Sequence, residues 1–123
     1  MSKLSRGGLN LPEKVRRAIE VFLRNLRLRY PDAEAYLYGS YARGDWLLDS
    51  DVDLIVVSDM FEGVDMAGRI ADVRALAPRD VAFEIIAYTR REFEEAKRRS
   101  ITVQDATTYW KKLLNKPPER KRC

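Results

Sequence analysis

Histidine is absent from this chain of 123 residues, and cysteine occurs once, as Cys123. Without histidine there can be no Ser-His triad, no histidine general acid or base and no His-ligated zinc. A single cysteine excludes an intrachain disulfide and a zinc site built from several cysteines. Any metal ion that the chain binds must therefore be held by carboxylates, which favours Mg2+ or Mn2+.

Long apolar runs are also missing. No stretch approaches the ~20 apolar residues of a membrane-spanning helix. The N-terminal residues around Gly7-Gly8 lack the apolar segment of a secretion signal. We therefore expect a cytoplasmic protein. The length suits one domain with its own core, and it leaves little room for a second domain that would hold a large acceptor.

The net charge of +4 is concentrated at the two ends of the chain. Residues 1–9 carry +2 and residues 116–123 carry +3, which leaves −1 for the residues between them. A broad basic surface for nucleic acid therefore has little support. We expect a flexible lead over 1–9, one domain over 10–115 and a basic, disordered tail over 116–123. The tail is either a solvated end or a contact for RNA or an acidic partner.

The periodicity of apolar residues predicts a first helix that starts at Asn10-Leu11-Pro12 and ends before Pro31. Asn10 is its expected cap, and proline is tolerated in the first turn. One apolar stripe at helical spacing is expected to face the core: Val15, Ile19, Phe22 and Leu26.

The rest of the chain alternates between strand and helix patterns. The expected elements are a strand over 33–38, a short helix from 41 to 43, a buried strand over 52–57, a helix over 63–76, a strand over 81–88 and helices over 89–99 and 101–114. The helix over 63–76 is expected to use these residues as its inner seam: Val64, Ala67, Ile70 and Val73 or Arg74. Thr89 and Glu92 have the spacing of a capping box. This order predicts an α/β (α+β) fold with a small mixed sheet.

Two acidic residues follow a glycine-serine turn by a dozen residues. The run reads Gly39-Ser40-Tyr41-Ala42-Arg43-Gly44, then five residues, then Ser50-Asp51-Val52-Asp53-Leu54. Asp51 and Asp53 are two apart, so in an extended chain both side chains project to the same side. Two such close carboxylates repel each other unless a cation lies between them. They are either metal ligands or, as isolated Asp-x-Asp pairs usually are, exposed acids at a strand end.

The turn before these acids can approach a phosphate. Gly39 lets the backbone come close, and Ser40 offers a hydroxyl and a backbone N–H. Arg43 either pairs with a triphosphate oxygen or forms a surface salt bridge with Asp45 or Asp49.

Glu84 lies among apolar residues in the strand predicted over 81–88. Burying an ionised carboxylate without a partner is costly, so a charge there needs an explanation. Either Glu84 faces the same site as Asp51 and Asp53, or it occupies an edge position that is open to solvent.

These segments together resemble the nucleotidyltransferase superfamily to which DNA polymerase beta belongs, and in particular the minimal nucleotidyltransferases (MNT proteins). The Gly-Ser, Ala-Arg-Gly, Ser-Asp and Asp-Leu elements match in order and spacing, and such a long gapped match is specific. The segment from Glu84 through Tyr88-Thr89 to Glu94 is similar to the family's third acidic strand and the helix after it. Many small relatives have Asp where this chain has Glu84. The resemblance extends from about residue 36 to about residue 114.

The resemblance implies a sheet with helices mainly on one face and a metal-dependent transfer of a nucleotide. It implies catalytic and metal-binding roles for Asp51, Asp53 and Glu84, which would hold two Mg2+ ions, or Mn2+, and nucleotide-binding roles for the following three residues: Gly39, Ser40 and Arg43. An acceptor hydroxyl, activated beside Glu84, would attack the α-phosphorus of ATP or another nucleoside triphosphate in line and release pyrophosphate.

The resemblance also implies a partner, a small helical protein of the HEPN type that acts as a toxin. This chain would be its antitoxin and would transfer AMP to a partner hydroxyl. Alternatively, it is a non-catalytic binding module that neutralises the partner by covering it. A homodimer is a further possibility.

Overall fold

The computed structural model describes residues 10–115; the predicted lead and basic tail lie outside them. Five helices, one 3-10 turn and four strands follow in this part of the chain: α1 Glu13–Arg29, β1 Glu34–Tyr38, α2 Ser40–Arg43, β2 Val52–Val57, the 3-10 turn Asp59–Phe61, α3 Met66–Arg74, β3 Phe83–Tyr88, α4 Arg90–Arg99, α5 Ile101–Thr107 and β4 Lys111–Leu114. None of these helices combines the length and apolar character that crossing a membrane would require.

The four strands form one mixed sheet in the order β3-β2-β1-β4. β2 and β3 are parallel and are joined through α3, whereas β1 pairs antiparallel with both β2 and β4. The expected mixed sheet is confirmed. Its edges are β3 and β4.

The main core lies between one face of the sheet and helices α1 and α3. The predicted stripe of α1 is confirmed, because all four of its residues are buried. The sheet contributes alternate side chains that are almost fully buried: Ala35, Leu37, Val52, Leu54, Val56 and Ala87. Alternate residues of a strand point to the same face of the sheet, so this set faces the main core.

A second, smaller core lies on the opposite face, beneath α4 and α5. Tyr36 and Ile55 of the sheet pack there against Phe93 of α4 and Val103 of α5. The ring of Trp110 lies 4.3 Å from that of Tyr36, centroid to centroid. Aromatic and β-branched side chains thus anchor two short helices that have few other buried residues.

The capping box of α4 is present. The Thr89 hydroxyl accepts from the backbone N–H of Glu92, and a Glu92 carboxylate oxygen accepts from the backbone N–H of Thr89 at 2.8 Å. The predicted cap of α1 was wrong. That helix begins after Pro12 without a side-chain cap, and Asn10 instead offers its carbonyl to the indole N–H of Trp46.

The predicted helix over 101–114 was also wrong in its second half. Helix α5 ends at Thr107, and Lys111–Leu114 is strand β4. The helix ends where Thr107, Thr108, Tyr109 and Trp110 follow one another, and residues of these types are poor helix formers. Strand β4 then pairs with the side of β1 that β2 leaves free.

The predicted seam of α3 was right at Val73 and wrong at its other positions. Val64 precedes the helix and, like Ala67 and Ile70, is exposed; the buried residues are Val73 and Arg69. Arg69 is only 6% exposed. A charged residue can take this inward position because each nitrogen of its guanidinium has a hydrogen-bond partner.

Arg69 connects α3 to β3 and α4. Its guanidinium pairs with both carboxylate oxygens of Glu92, at 2.6 and 3.3 Å, and donates to the backbone carbonyls of Val64 and Ala87. This pairing lowers the pKa of Glu92 to about 2. Sequence periodicity cannot reveal such an arrangement, because the partners are distant in the chain.

Candidate active site

The candidate site lies where β1 ends and where β2 and β3 begin. Asp53, the second residue of β2, is opposite Tyr38 at the end of β1 and opposite Glu84 near the start of β3. Residues paired in register share a face of the sheet. Glu84 therefore lies beside Asp53 on one face, with Tyr38 on the other side of Asp53.

Asp51 lies one residue before β2 and two before Asp53. Both Asp51 and Glu84 are exposed, whereas Asp53 is half-buried. Burial is the main reason why the pKa of Asp53 is raised to about 6, and the negative charges of Glu84 and Asp51 raise it further. The three carboxylates are thus close enough to repel one another, and a cation would relieve that repulsion.

The three carboxylates fit a hard cation by their chemistry and by their place on the sheet. Oxygen ligands are what Mg2+ and Mn2+ prefer. Within residues 10–115, no three acidic side chains are yet gathered tightly enough to hold one ion together. Because Asp51 and Glu84 are exposed, their side chains have space to turn toward Asp53.

Gly39 is in contact with this carboxylate group. Its φ is +74°, a conformation that favours glycine, and a Cβ atom placed there would lie 2.0 Å from Oδ2 of Asp53. Any side chain at position 39 would therefore push the Asp53 carboxylate away. This contact explains why a glycine is needed at this position.

Ser40 begins α2, which is a single turn of four residues closed by Gly44 in the left-handed region. A helix this short sums few peptide dipoles, so its contribution to binding an anion is small. The backbone N–H of Gly39 donates to the hydroxyl of Tyr109 at 3.1 Å.

Arg43 lies at the rim of the site. Its Nε donates to Asp45 and its Nη1 donates to the Tyr109 hydroxyl, each at 3.1 Å. The surface salt bridge considered from the sequence is therefore formed with Asp45. Arg43 also counteracts the rise in the pKa of Asp53, so its charge reaches the carboxylates.

The burial argument for Glu84 was wrong. β3 is an edge strand, and Glu84 is exposed, so no buried charge needs a partner there. Its pairing with Asp53, rather than its burial, brings Glu84 to the site.

Two tyrosines at the site were not assigned from the sequence. Tyr38 is buried beside Asp53 in the neighbouring strand, and its pKa is raised by burial and by the charge of Asp53. Tyr109 was expected within a helix, where its side chain would have had no reason to meet Gly39. The only local signal was the row of poor helix formers at 107–110, which marks the end of α5.

The family model and the solved structures that resemble this chain indicate the same family. The family model of the nucleotidyltransferase domain matches residues 19–109. A crystal structure of a protein assigned as a nucleotidyltransferase from Sulfolobus solfataricus is similar, with 21% identity, a TM-score of 0.51 and coverage of 72% of this chain and 85% of that one.

A chain in a crystal structure of a toxin-antitoxin with AMP-PNP is similar in fold, with 22% identity, a TM-score of 0.53 and coverage of 78% of this chain and 72% of that one. No curated protein sequence matches the chain. At these identities the structural likeness establishes the fold, and the family model covers most of the sequence. The chain therefore belongs to the nucleotidyltransferase domain family.

Proposed function

We propose that this chain is a metal-dependent nucleotidyltransferase that moves AMP from ATP to a hydroxyl of a partner protein. One observation carries the proposal: Asp53 and Glu84 are neighbours on one face of the sheet, and Asp53 lies against the Gly39 turn. Carboxylates beside a turn that admits a phosphate are the groups that phosphoryl-group chemistry requires.

In this proposal Asp51, Asp53 and Glu84 hold two Mg2+ ions, for which Mn2+ could substitute. Bound Mg2+ would supply charge neutralisation for the phosphate oxygens and for the acceptor oxygen. The raised pKa of Asp53 supports the assignment, because a crowded carboxylate gains most from a nearby cation.

The chain's own groups perform the other tasks. The backbone N–H of Gly39, the hydroxyl of Ser40 and the guanidinium of Arg43 donate to triphosphate oxygens. Glu84 is exposed toward an incoming molecule and accepts the proton of the acceptor hydroxyl. The hydroxyl oxygen then bonds to the α-phosphorus, the bond from that phosphorus to the bridging oxygen breaks, and pyrophosphate leaves.

The acceptor in this proposal belongs to a second molecule. Asp51 and Glu84 are both exposed, so a partner molecule can reach them. The similar fold of a chain in a toxin-antitoxin structure with AMP-PNP supports a nucleotide and a protein partner. We propose a small helical HEPN-type toxin as the partner and the cytoplasm as the place of reaction.

The test uses ATP labelled at the α-phosphate, Mg2+, the purified chain and a purified HEPN-type partner. We expect label on the partner, and we expect Asp53→Asn and Asp51→Asn each to lower the rate at least about a hundredfold. Asp72→Asn is the matched control, because Asp72 is exposed on α3, away from the site. No transfer by the parent chain, or equal transfer by Asp53→Asn, would reject the proposal.

A second function is favoured by one specific observation. The Gly39 N–H and the Arg43 guanidinium are already engaged by Tyr109 and Asp45. A module that only covers its partner would have no need to release them. Neutralisation of the toxin by a chain with both Asp51→Asn and Asp53→Asn would favour covering, whereas loss of neutralisation would favour transfer.

A further inference from the structure

Tyr109 lies in the connection between α5 and β4, seventy residues from the glycine turn that it contacts. Its hydroxyl oxygen accepts from the backbone N–H of Gly39 and from Nη1 of Arg43, both at 3.1 Å. The guanidinium carbon of Arg43 lies 5.4 Å from the centre of its ring. One phenol oxygen thus engages two donors at the candidate site.

These are two of the donors that the proposed function assigns to the triphosphate. A phenol oxygen and a phosphate oxygen are both hydrogen-bond acceptors, and one backbone N–H cannot serve both at full strength. Arg43 also donates from Nε to Asp45. The Gly39 N–H and the Arg43 guanidinium thus already have acceptors in this arrangement. The hydroxyl therefore takes a position that a triphosphate oxygen would need.

The geometry indicates which of the partners would move. Gly39 directly follows β1, a strand that is paired on both sides, and has Asp53 close beside it. Tyr109 lies in a connection of three residues beside β4, an edge strand whose pairing with β1 shifts register between Ala35 and Tyr36. Tyr109 is half-buried and packs at the edge of both cores, so releasing the donors requires a shift of this side chain and not of the backbone of the turn.

We propose that Tyr109 is a positioning residue that holds the phosphate-binding donors in the nucleotide-free form, so that a triphosphate must displace its hydroxyl to bind. This inference rests on the proposed function. Only molecules in which the hydroxyl has left these donors can bind triphosphate. The apparent affinity is therefore the intrinsic affinity multiplied by the fraction of such molecules. If Tyr109 instead aimed Arg43 at the nucleotide, removing the hydroxyl would have the opposite effect.

The experiment compares the parent with Tyr109→Phe, which keeps the ring and removes the hydroxyl. Binding of AMP-PNP, tripolyphosphate and adenosine is measured by titration calorimetry in the presence of Mg2+. We expect Tyr109→Phe to bind AMP-PNP and tripolyphosphate about fivefold more tightly, with adenosine unchanged. Tyr88→Phe is the matched control, because Tyr88 is also a half-buried tyrosine on this face of the sheet, in β3. This variant should bind all three ligands as the parent does.

Equal or weaker binding of both phosphate ligands by Tyr109→Phe would overturn the inference. If the parent still transfers label from ATP and Asp53→Asn does not, the proposed function stands while the inference falls. If neither the parent nor Tyr109→Phe binds a triphosphate, the proposed function falls and takes the inference with it. Gain of binding in Tyr109→Phe alone would support the inference strongly.

The backbone amide of Gly39 gives a second measurement that needs no ligand. In Tyr109→Phe this N–H loses its acceptor, so its hydrogen exchange should become at least about fivefold faster than in the parent. Amides in the middle of β2 serve as the internal reference, because a general loss of stability would speed their exchange too. Unchanged exchange at Gly39 would contradict the contact itself.

Discussion

The two faces of the sheet are built from the same strands but carry different kinds of side chain. On the face beneath α1 and α3, β2 contributes Val52, Leu54 and Val56, which are all fully buried. On the other face, Ile55 and Val57 are buried beneath α4 and α5, whereas Asp53 is left half-buried beside the exposed Glu84. A step of one residue along β2 leads from the main core to the candidate site.

This difference shows how a small domain can separate stability from chemistry. Side chains alternate along a strand, so Leu54 can contribute to the core while its neighbour Asp53 faces a partner. The strand residues on the main-core face are apolar, and the other face keeps carboxylates in a crowded, partly desolvated setting that raises the pKa of Asp53. Repulsion among the crowded carboxylates lowers the stability of the fold, and burial of apolar side chains in the main core offsets this loss.

The largest expected effect comes from breaking the main core. Leu54→Ala should lower the free energy of unfolding by about 3 kcal/mol, because it removes buried apolar surface and leaves a cavity. Urea denaturation measures the change. A loss below about 1 kcal/mol would mean that this face does not carry the main core.

The next effect comes from the glycine turn, where two glycines with positive φ differ in whether a Cβ atom would collide with a neighbour. Gly39→Ala should cost about 2 kcal/mol and abolish binding of triphosphate, because it combines an unfavourable positive φ with a collision against Asp53. Gly44→Ala is the control: its φ is +89°, yet a Cβ atom there would meet nothing within 4 Å. Urea denaturation and calorimetry compare the two variants. Equal losses of stability and binding in both would contradict the contact between Gly39 and Asp53.

A smaller effect of opposite sign is expected from Asp53→Asn. The pKa of Asp53 is raised from 3.8 to about 6 in the folded chain, so folding favours its protonated form. Its ionisation therefore lowers stability as the pH rises from about 4 to about 6, and the penalty is complete above that range. Because the group is partly exposed, we expect Asn to stabilise the chain at pH 7 by about 1 to 2 kcal/mol and to have no effect below pH 4.

Urea denaturation from pH 4 to pH 8 checks this expectation, with Asp72→Asn as the control for removing a negative charge. A constant difference between parent and Asp53→Asn across this range would show that crowding of the carboxylates is not the cause. Destabilisation by Asn at pH 7 would contradict it outright.

The smallest effect is the response to Mg2+. A cation that relieves the crowding at Asp53 should stabilise the parent by about 1 kcal/mol when its concentration is about five times the dissociation constant. Asp53→Asn should show little response. Thermal unfolding with MgCl2, against NaCl at matched ionic strength, measures the difference. Equal stabilisation of both chains would indicate screening of surface charge rather than a site.

Some features followed directly from the sequence. The apolar stripe of α1, the strand over 52–57 and the capping box at Thr89 depend on residues close together in the chain, and all three are present. Other features depended on distant partners and were missed. Arg69 is inside because Glu92 pairs with it, and residues 111–114 form a strand because β1 had an open side.

By itself, the sequence determined the family pattern and the two-residue spacing of Asp51 and Asp53 behind a glycine turn, because these are local properties of the chain. Tertiary structure alone decided that Glu84 lies next to Asp53 and that the Tyr109 hydroxyl meets Gly39. The physical reason is that strand register and side-chain contacts across the fold depend on how elements pack, which periodicity along the chain does not specify.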